Sequence, residues 1–294
     1  MSKIADYAFL FQKSFGQTAQ NPIGSFRLSK LNSSAVQSQL KAAGINTNSK
    51  QYQKVISKMM KDGNGMMYTN PLAIKNLMKN YDKDGDYISP VTGLAGMDAT
   101  DIPISKRHVI IDISEKSRQE MFDNAKREFL EENGIANGDT TKRSDVFYHY
   151  QKSVQKQDRL KGTWTLEQYE RQYNKAFYNA AKAADPTRKP GKEIKTGALD
   201  GITREEIDKI TELVFKINEI LVDYFKSIKV DLIDFKVEFG RYKGQIILAD
   251  EISPDTCRFW DSETHEKLDK DRFRRDLGHV EEAYEEIYRR IGLA

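Results

Sequence analysis

The sequence predicts an α+β protein: a mostly helical N-terminal domain over 1–185, a linker over 186–200, and a C-terminal lobe of helix, β-hairpin and helix over 201–294. Three observations carry this. Asn and Gln together number 26 in residues 1–196 and only 2 in 197–294, a compositional break that marks a boundary. The stretch 185–197 holds two prolines, two glycines and many charges, which is linker chemistry. Apolar residues recur at helical spacing through most of the N-terminal part and switch to a sustained period of two near 230–249.

In chain order, helical periodicity covers 3–14, 34–43, 49–61 and 71–80. A short strand is expected over 108–113, ahead of a helix 115–132 that Ser114 caps. Helices 143–158 and 165–184 follow. Trp164, Tyr169, Tyr173, Phe177 and Tyr178 recur at spacings of three and four, which predicts a core stripe rather than a platform for bases. Beyond the linker, Thr203 and Glu206 form a Thr-x-x-Glu capping box. The helix it starts gathers Ile207, Ile210, Leu213, Val214, Ile217, Ile220, Leu221, Tyr224 and Phe225 on one broad face. A strand over 230–239, a loop at 241–244 and a strand over 245–249 read as a hairpin. A last amphipathic helix turns Val280, Ala283, Tyr284, Ile287 and Ile291 inward.

Bulk properties exclude several classes. Lys and Arg outnumber Asp and Glu by 47 to 44, so no large single-sign field argues for nucleic acid, and none is expected as a partner. No apolar run approaches the roughly 20 residues of a membrane span. The first residues lack a secretory signal's apolar core, so a cytoplasmic location is expected. Cys257 is the single cysteine, which excludes an internal disulfide and predicts a structural thiol.

The chemistry concentrates in the C-terminal strands. At a period of two, Asp234, Lys236 and Glu238 share one face, while Ile233, Phe235, Val237 and Phe239 share the other. The hairpin then returns Asp250 towards Lys236 and Glu238. Carboxylates to hold a hard cation and a lysine to meet phosphate oxygens are what a metal–phosphate site needs. In the N-terminal part, Asp82, Asp84 and Asp86 stand where an EF-hand loop places its first three oxygen ligands. The second half of that pattern fails: Tyr87 replaces the glycine, Pro90 interrupts, and Gly93 stands where the bidentate Glu belongs. An acidic Asx-type turn is therefore the favoured reading, with Ca²⁺ as its alternative.

The runs Asp-Phe-Lys-Val-Glu-Phe-Gly from Asp234, Ala-Asp-Glu-Ile-Ser-Pro-Asp-Thr-Cys-Arg-Phe-Trp-Asp from Ala249, and Asp-Lys-Asp-Arg-Phe-Arg-Arg-Asp-Leu-Gly from Asp269 are long and specific. Over about 202–293 the chain resembles the C-terminal part of the SAICAR synthetases (phosphoribosylaminoimidazole-succinocarboxamide synthases). The resemblance implies the larger lobe of a kinase-like fold and an ATP-dependent ligase that joins aspartate to a carboxyaminoimidazole ribotide in purine biosynthesis. It implies ATP and Mg²⁺ as cofactors, Glu238 and Asp250 as Mg²⁺ ligands, and Lys236 at phosphate or substrate carboxylate. Arg258 and Arg274 are implied to meet substrate anions, with Ser253 and Asp255 shaping the loop that presents Arg258. The family's association implies a homodimer.

The departure is as informative. Residues 1–200 lack the family's Gly-Lys-Ala-Lys strand–turn–strand and its Val-Arg-Asn…Ala-Gly-Ser segment. Residues 1–185 show only a vague resemblance to uncharacterised bacterial proteins. The rival function is therefore a non-enzymatic helical interaction protein carrying an incomplete synthetase lobe.

Overall fold

The computed structural model describes residues 24–63, 65–100, 102–135 and 140–293. The helix expected over 3–14 lies outside them. The described residues fall into two compact units: the chain up to Ile113 together with Ser144–Thr165, and Ser114–Arg143 together with Leu166 onward.

In chain order, β1 (Phe26–Arg27) precedes α1 (Ser34–Ala42) and α2 (Lys50–Gly63). Then come β2 (Tyr68–Thr69), α3 (Pro71–Met78) and the one-turn α4 (Ile104–Arg107). Helices α5 (Glu115–Glu131), α6 (Thr140–Ser153), α7 (Arg159–Ala184) and α8 (Arg204–Ser227) follow. The C-terminal part holds β3 (Val230–Phe235), β4 (Phe239–Tyr242), β5 (Gln245–Leu248) and β6 (Cys257–Asp261), then α9 (Asp271–Arg274) and α10 (Val280–Arg290). No helix among the described residues is long and apolar enough to cross a membrane.

In the first unit, Ser33 and Asn70 cap α1 and α3 through side-chain oxygens that accept from the N–H groups of Val36 and Ala73. Val36 and Leu40 of α1, Tyr52, Val55 and Met59 of α2, and Ile74 of α3 pack on Phe26 of the small β1–β2 ribbon. The expected strand over 108–113 does not form. Its backbone is held instead by the Thr165 hydroxyl, which accepts from Ile111 N at 3.2 Å and shares its one proton between Lys161 O at 2.9 Å and Val109 O at 3.4 Å. His108 stacks on Trp164, with ring centroids 5.0 Å apart. A threonine on a helix thus replaces the ladder a strand would need.

In the second unit, Met121, Phe122 and Phe129 of α5 interlock with Tyr173 and Phe177 of α7; Phe122 meets both rings edge-on at 5.3 Å. Helix α7 begins six residues earlier than expected, and Tyr178, placed by spacing in the core stripe, is exposed. At the start of α8, buried Asp208 accepts from Tyr173 Oη at 2.5 Å and pairs with Arg204 at 2.6 Å and Arg118 at 3.2 Å. Residues 186–200 lie inside this unit as a series of turns, with Arg188 donating to the Lys192 carbonyl at 2.7 Å and Leu199 buried.

The C-terminal strands pair differently from expectation. Strand β3 ends at Phe235 and runs antiparallel to β6, not to β5. The hairpin is β4–β5, closed by Lys243 and Gly244 at φ +49° and +77°. Two positive φ values in a two-residue loop are the geometry that matches strand twist. The β3–β6 register shifts between Leu232 and Asp234, so Ile233 is the extra, unpaired residue and is exposed instead of lying on the apolar face. Phe225 of α8, Phe259 of β6 and Ile287 of α10 form the core here, with Cys257 fully buried among them. Ile220 and Tyr224, expected on the packed face of α8, are exposed.

Candidate functional site

Backbone pairing gathers the C-terminal candidates. Past the end of β3, Lys236 N donates to Thr256 O at 2.9 Å, and Ala249 N donates to Glu238 O at 2.9 Å. The first bond lays Lys236 beside the loop that leads into Arg258. The second brings Asp250 back next to Glu238, as the predicted hairpin required, although through a different pair of strands. Asp234 stands opposite Arg258 in the β3–β6 ladder.

Side chains complete the picture. Lys236 Nζ donates to Glu238 Oε1 at 2.6 Å, both groups facing solvent. Glu238, with a further contribution from Asp250, holds the Lys236 ammonium above its ordinary value. Arg258 donates to Asp234 and lies 3.3 Å from Asp271, and these two carboxylates raise its pKa. Asp234 and Asp271 were not among the candidates; the alternation at 234–238 pointed to the first, and no pattern pointed to the second.

The loop 250–256 is knit internally. Ser253 O accepts from Thr256 N and Cys257 N, Ser253 Oγ accepts from Asp255 N at 3.3 Å, and Thr256 Oγ1 donates to Glu251 O at 2.9 Å. Asp255 is fixed from outside: Tyr284 Oη donates to its carboxylate at 2.9 Å, and Lys270 donates to its carbonyl. Burial and then the Asp255 carboxylate push the Tyr284 hydroxyl up to about 12. Arg274 is exposed, and its charge is felt at Tyr284 in the opposite sense. Burial likewise raises the Cys257 thiol, which suits an inert core residue.

Two strand-end carboxylates beside a lysine suit Mg²⁺, which takes one or two carboxylates and fills its shell with water and phosphate oxygens. Among the described residues no group of three or more His, Cys, Asp or Glu could hold a metal by itself. At Asp82, Asp84 and Asp86, the residues of the Ca²⁺ alternative, a cation of the chain itself is in place. Their carboxylates converge on the ammonium of Lys156, at 2.7, 2.7 and 2.6 Å, which neutralises in part the charge a metal would need. The Asx-turn reading fits the backbone: Asp82 Oδ1 accepts from the N–H groups of Asp84 and Asp86 at 3.0 and 2.9 Å.

Comparison with known proteins divides the chain. Residues 45–223 match the family model described as a domain of unknown function (DUF3879). The phosphoribosylaminoimidazole-succinocarboxamide synthase of Lachnoclostridium phytofermentans is 65% identical over 96 residues, 33% of this chain and 41% of that protein. Its counterpart in Caldanaerobacter subterraneus subsp. tengcongensis is 64% identical over 99 residues, 34% of this chain and 42% of that protein. A solved SAICAR synthetase (type 2, in complex with ADP) is 52% identical, with 37% of this chain and 47% of that one covered and a TM-score of 0.33. The chain thus spans about two fifths of the length of the curated relatives it matches.

Proposed function

This chain belongs to the DUF3879 family, and we propose that the synthetase-like part it carries retains the nucleotide and metal floor of an ATP-dependent carbon–nitrogen ligase. The reaction would be that of a SAICAR synthetase, joining the amine of aspartate to the carboxyl group of a carboxyaminoimidazole ribotide. In this reading residues 201–294 are the functional lobe, and residues 186–200 join it to a mostly helical part over 1–185. The observation that carries the proposal is the pairing of Lys236 with Glu238, with Asp250 returned next to them by the Ala249–Glu238 hydrogen bond. It stands in a segment about 65% identical to a curated synthetase.

Each residue has a task in that reading. Glu238 and Asp250 would hold Mg²⁺, whose charge offsets that of the ATP phosphates. Lys236, on the same rim, meets a phosphate or the substrate carboxylate once its exposed contact with Glu238 opens. Arg258 is presented by a loop that Ser253 and Asp255 shape; its planar fork suits a carboxylate or phosphate. Arg274 supplies a second, exposed cation for the ribotide phosphate.

Thermal shift with Mg·ATP tests the floor. A ligand that binds only the native state adds roughly 2.7 kcal/mol at 100 times its dissociation constant. The expected result is a clear rise in Tm with Mg·ATP that Glu238→Ala or Asp250→Ala abolishes. Absence of a shift at millimolar nucleotide overturns the proposal. ADP release with ribotide, aspartate and Mg·ATP separates a working ligase from the rival interaction protein. That rival is favoured by one fact: most of the chain matches a family model other than the synthetases'.

A further inference from the structure

The acidic turn of the first unit is built like the opening of a cation-binding loop. Asp82 Oδ1 ties down the N–H groups of Asp84 and Asp86, and Gly85 closes the turn at φ +84°. The oxygens left over, one from each of Asp82, Asp84 and Asp86, all meet Lys156 Nζ at 2.6–2.7 Å. We infer that Lys156 is a built-in cation: its ammonium occupies the place of a metal ion in this turn and makes the turn's order independent of metal.

The stoichiometry supports this. A lysine ammonium has three N–H donors and no acceptor, and three carboxylates take one donor each. A calcium ion takes six to eight oxygens, and the sequence withholds the later ones by placing Gly93 where a bidentate Glu belongs. Hydrogen bonds to the three aspartates outweigh desolvation and raise the Lys156 pKa, so the ammonium stays charged.

The lysine is also anchored from its own side. It opens the short turn Lys156–Asp158 ahead of α7. Gly96, at φ +90°, lets the chain run so close that a Cβ there would stand 2.6 Å from the Lys156 carbonyl. Arg159 then donates to the Ala95 carbonyl at 2.7 Å. Two segments some seventy residues apart in sequence are thereby fastened around one positive charge.

The test uses the full chain. Lys156→Ala leaves three converging carboxylates uncompensated, so Tm should fall by about 5 °C. Millimolar Ca²⁺ should recover most of that fall in the variant and leave the wild type unmoved, as should EGTA. Tb³⁺ emission sensitised by Tyr81 or Tyr87 should appear in the variant alone. An unchanged Tm overturns the inference, and so does a wild type that responds to Ca²⁺ as the variant does. A fall that Ca²⁺ does not recover also overturns it, leaving a plain ion pair. Should Lys156→Ala not fold, Lys156→Ala/Asp84→Asn, with one charge fewer, should fold; its failure counts against the inference.

Discussion

Two clusters in this chain join a lysine to aspartates or glutamates, and they are opposites. Around Lys156 three carboxylates close on one ammonium, held by a turn whose backbone is itself hydrogen-bonded. Around Lys236 a single carboxylate two residues away makes the contact, and the two side chains are 70% and 64% exposed. An exposed pair of that kind adds little to stability, because water competes for both charges. It opens readily for a ligand. The Lys156 cluster has every donor used and nothing to offer one. Residue type is nearly the same in both places; partner number and access to water decide which can be a site.

A third cluster sets the upper end of this scale. Asp208 is buried and receives Arg204, Arg118 and Tyr173. Asp208→Ala removes the buried carboxylate that Arg204 and Arg118 share, leaves them only the more exposed Glu115, Glu205 and Glu212, and should cost about 3 kcal/mol, read from denaturant unfolding. Next comes the direct comparison. Asp82→Asn removes a charge from Lys156 and should cost about 1–3 kcal/mol with no change in response to Mg·ATP. Lys236→Ala should leave the unfolding midpoint unchanged yet lose the Mg·ATP shift. Equal stability losses in the two variants would break the contrast.

Acid titration sharpens it. Desolvation pulls the Asp82 carboxyl up, but hydrogen bonds from Lys156 and from the N–H groups of Asp86 and Asp84 outweigh it and leave the pKa lowered. Below the unfolded value, near 4, the unfolded chain binds more protons than the folded one. Stability from this group is therefore full above about pH 4 and is lost as pH falls through the folded value. Wild type should lose stability more steeply than Lys156→Ala as pH drops below about 4. Parallel curves in circular-dichroism melts would remove Lys156 as the cause.

How much of this was legible in the sequence follows from the range of each interaction. Helices with local signals were readable: Ser33, Asn70, Ser114 and Thr203 all cap where a Ser, Thr or Asn precedes a periodic run. Strand partners were not, because pairing is non-local. The segment 230–239 looked like one strand, and only the register shift at Ile233 and the exchange of partner from β6 to β5 divide it. The segment 108–113 had strand composition, and the hydroxyl of Thr165 took the place of a partner strand. Lys156 falls within the run 143–158 expected as a helix, and no spacing rule links it to Asp82. Lys236, Glu238 and Asp250 could be brought together from sequence because a single short hairpin, β4–β5, returns the chain to Glu238.

The smallest effect tests whether exposure alone explains the weakness of the Lys236 pair. Arg241 reaches Glu206 with two parallel bonds, Nε to Oε1 at 2.6 Å and Nη2 to Oε2 at 2.5 Å, and Arg241 is 63% exposed. Its exposure is close to that of Lys236, but its geometry is a fork rather than a point contact. This pair pins β4 to the first turn of α8, and it holds the Glu206 carboxyl below its usual range. A double-mutant cycle of Arg241→Ala and Glu206→Gln should give a coupling of about 0.5–1 kcal/mol. The corresponding cycle of Lys236→Ala and Glu238→Gln should give no measurable coupling. If the lysine cycle equals or exceeds the arginine one, Lys236 is committed to Glu238 in the ligand-free protein, and the rim is a closed pair like that of Lys156 rather than an open one.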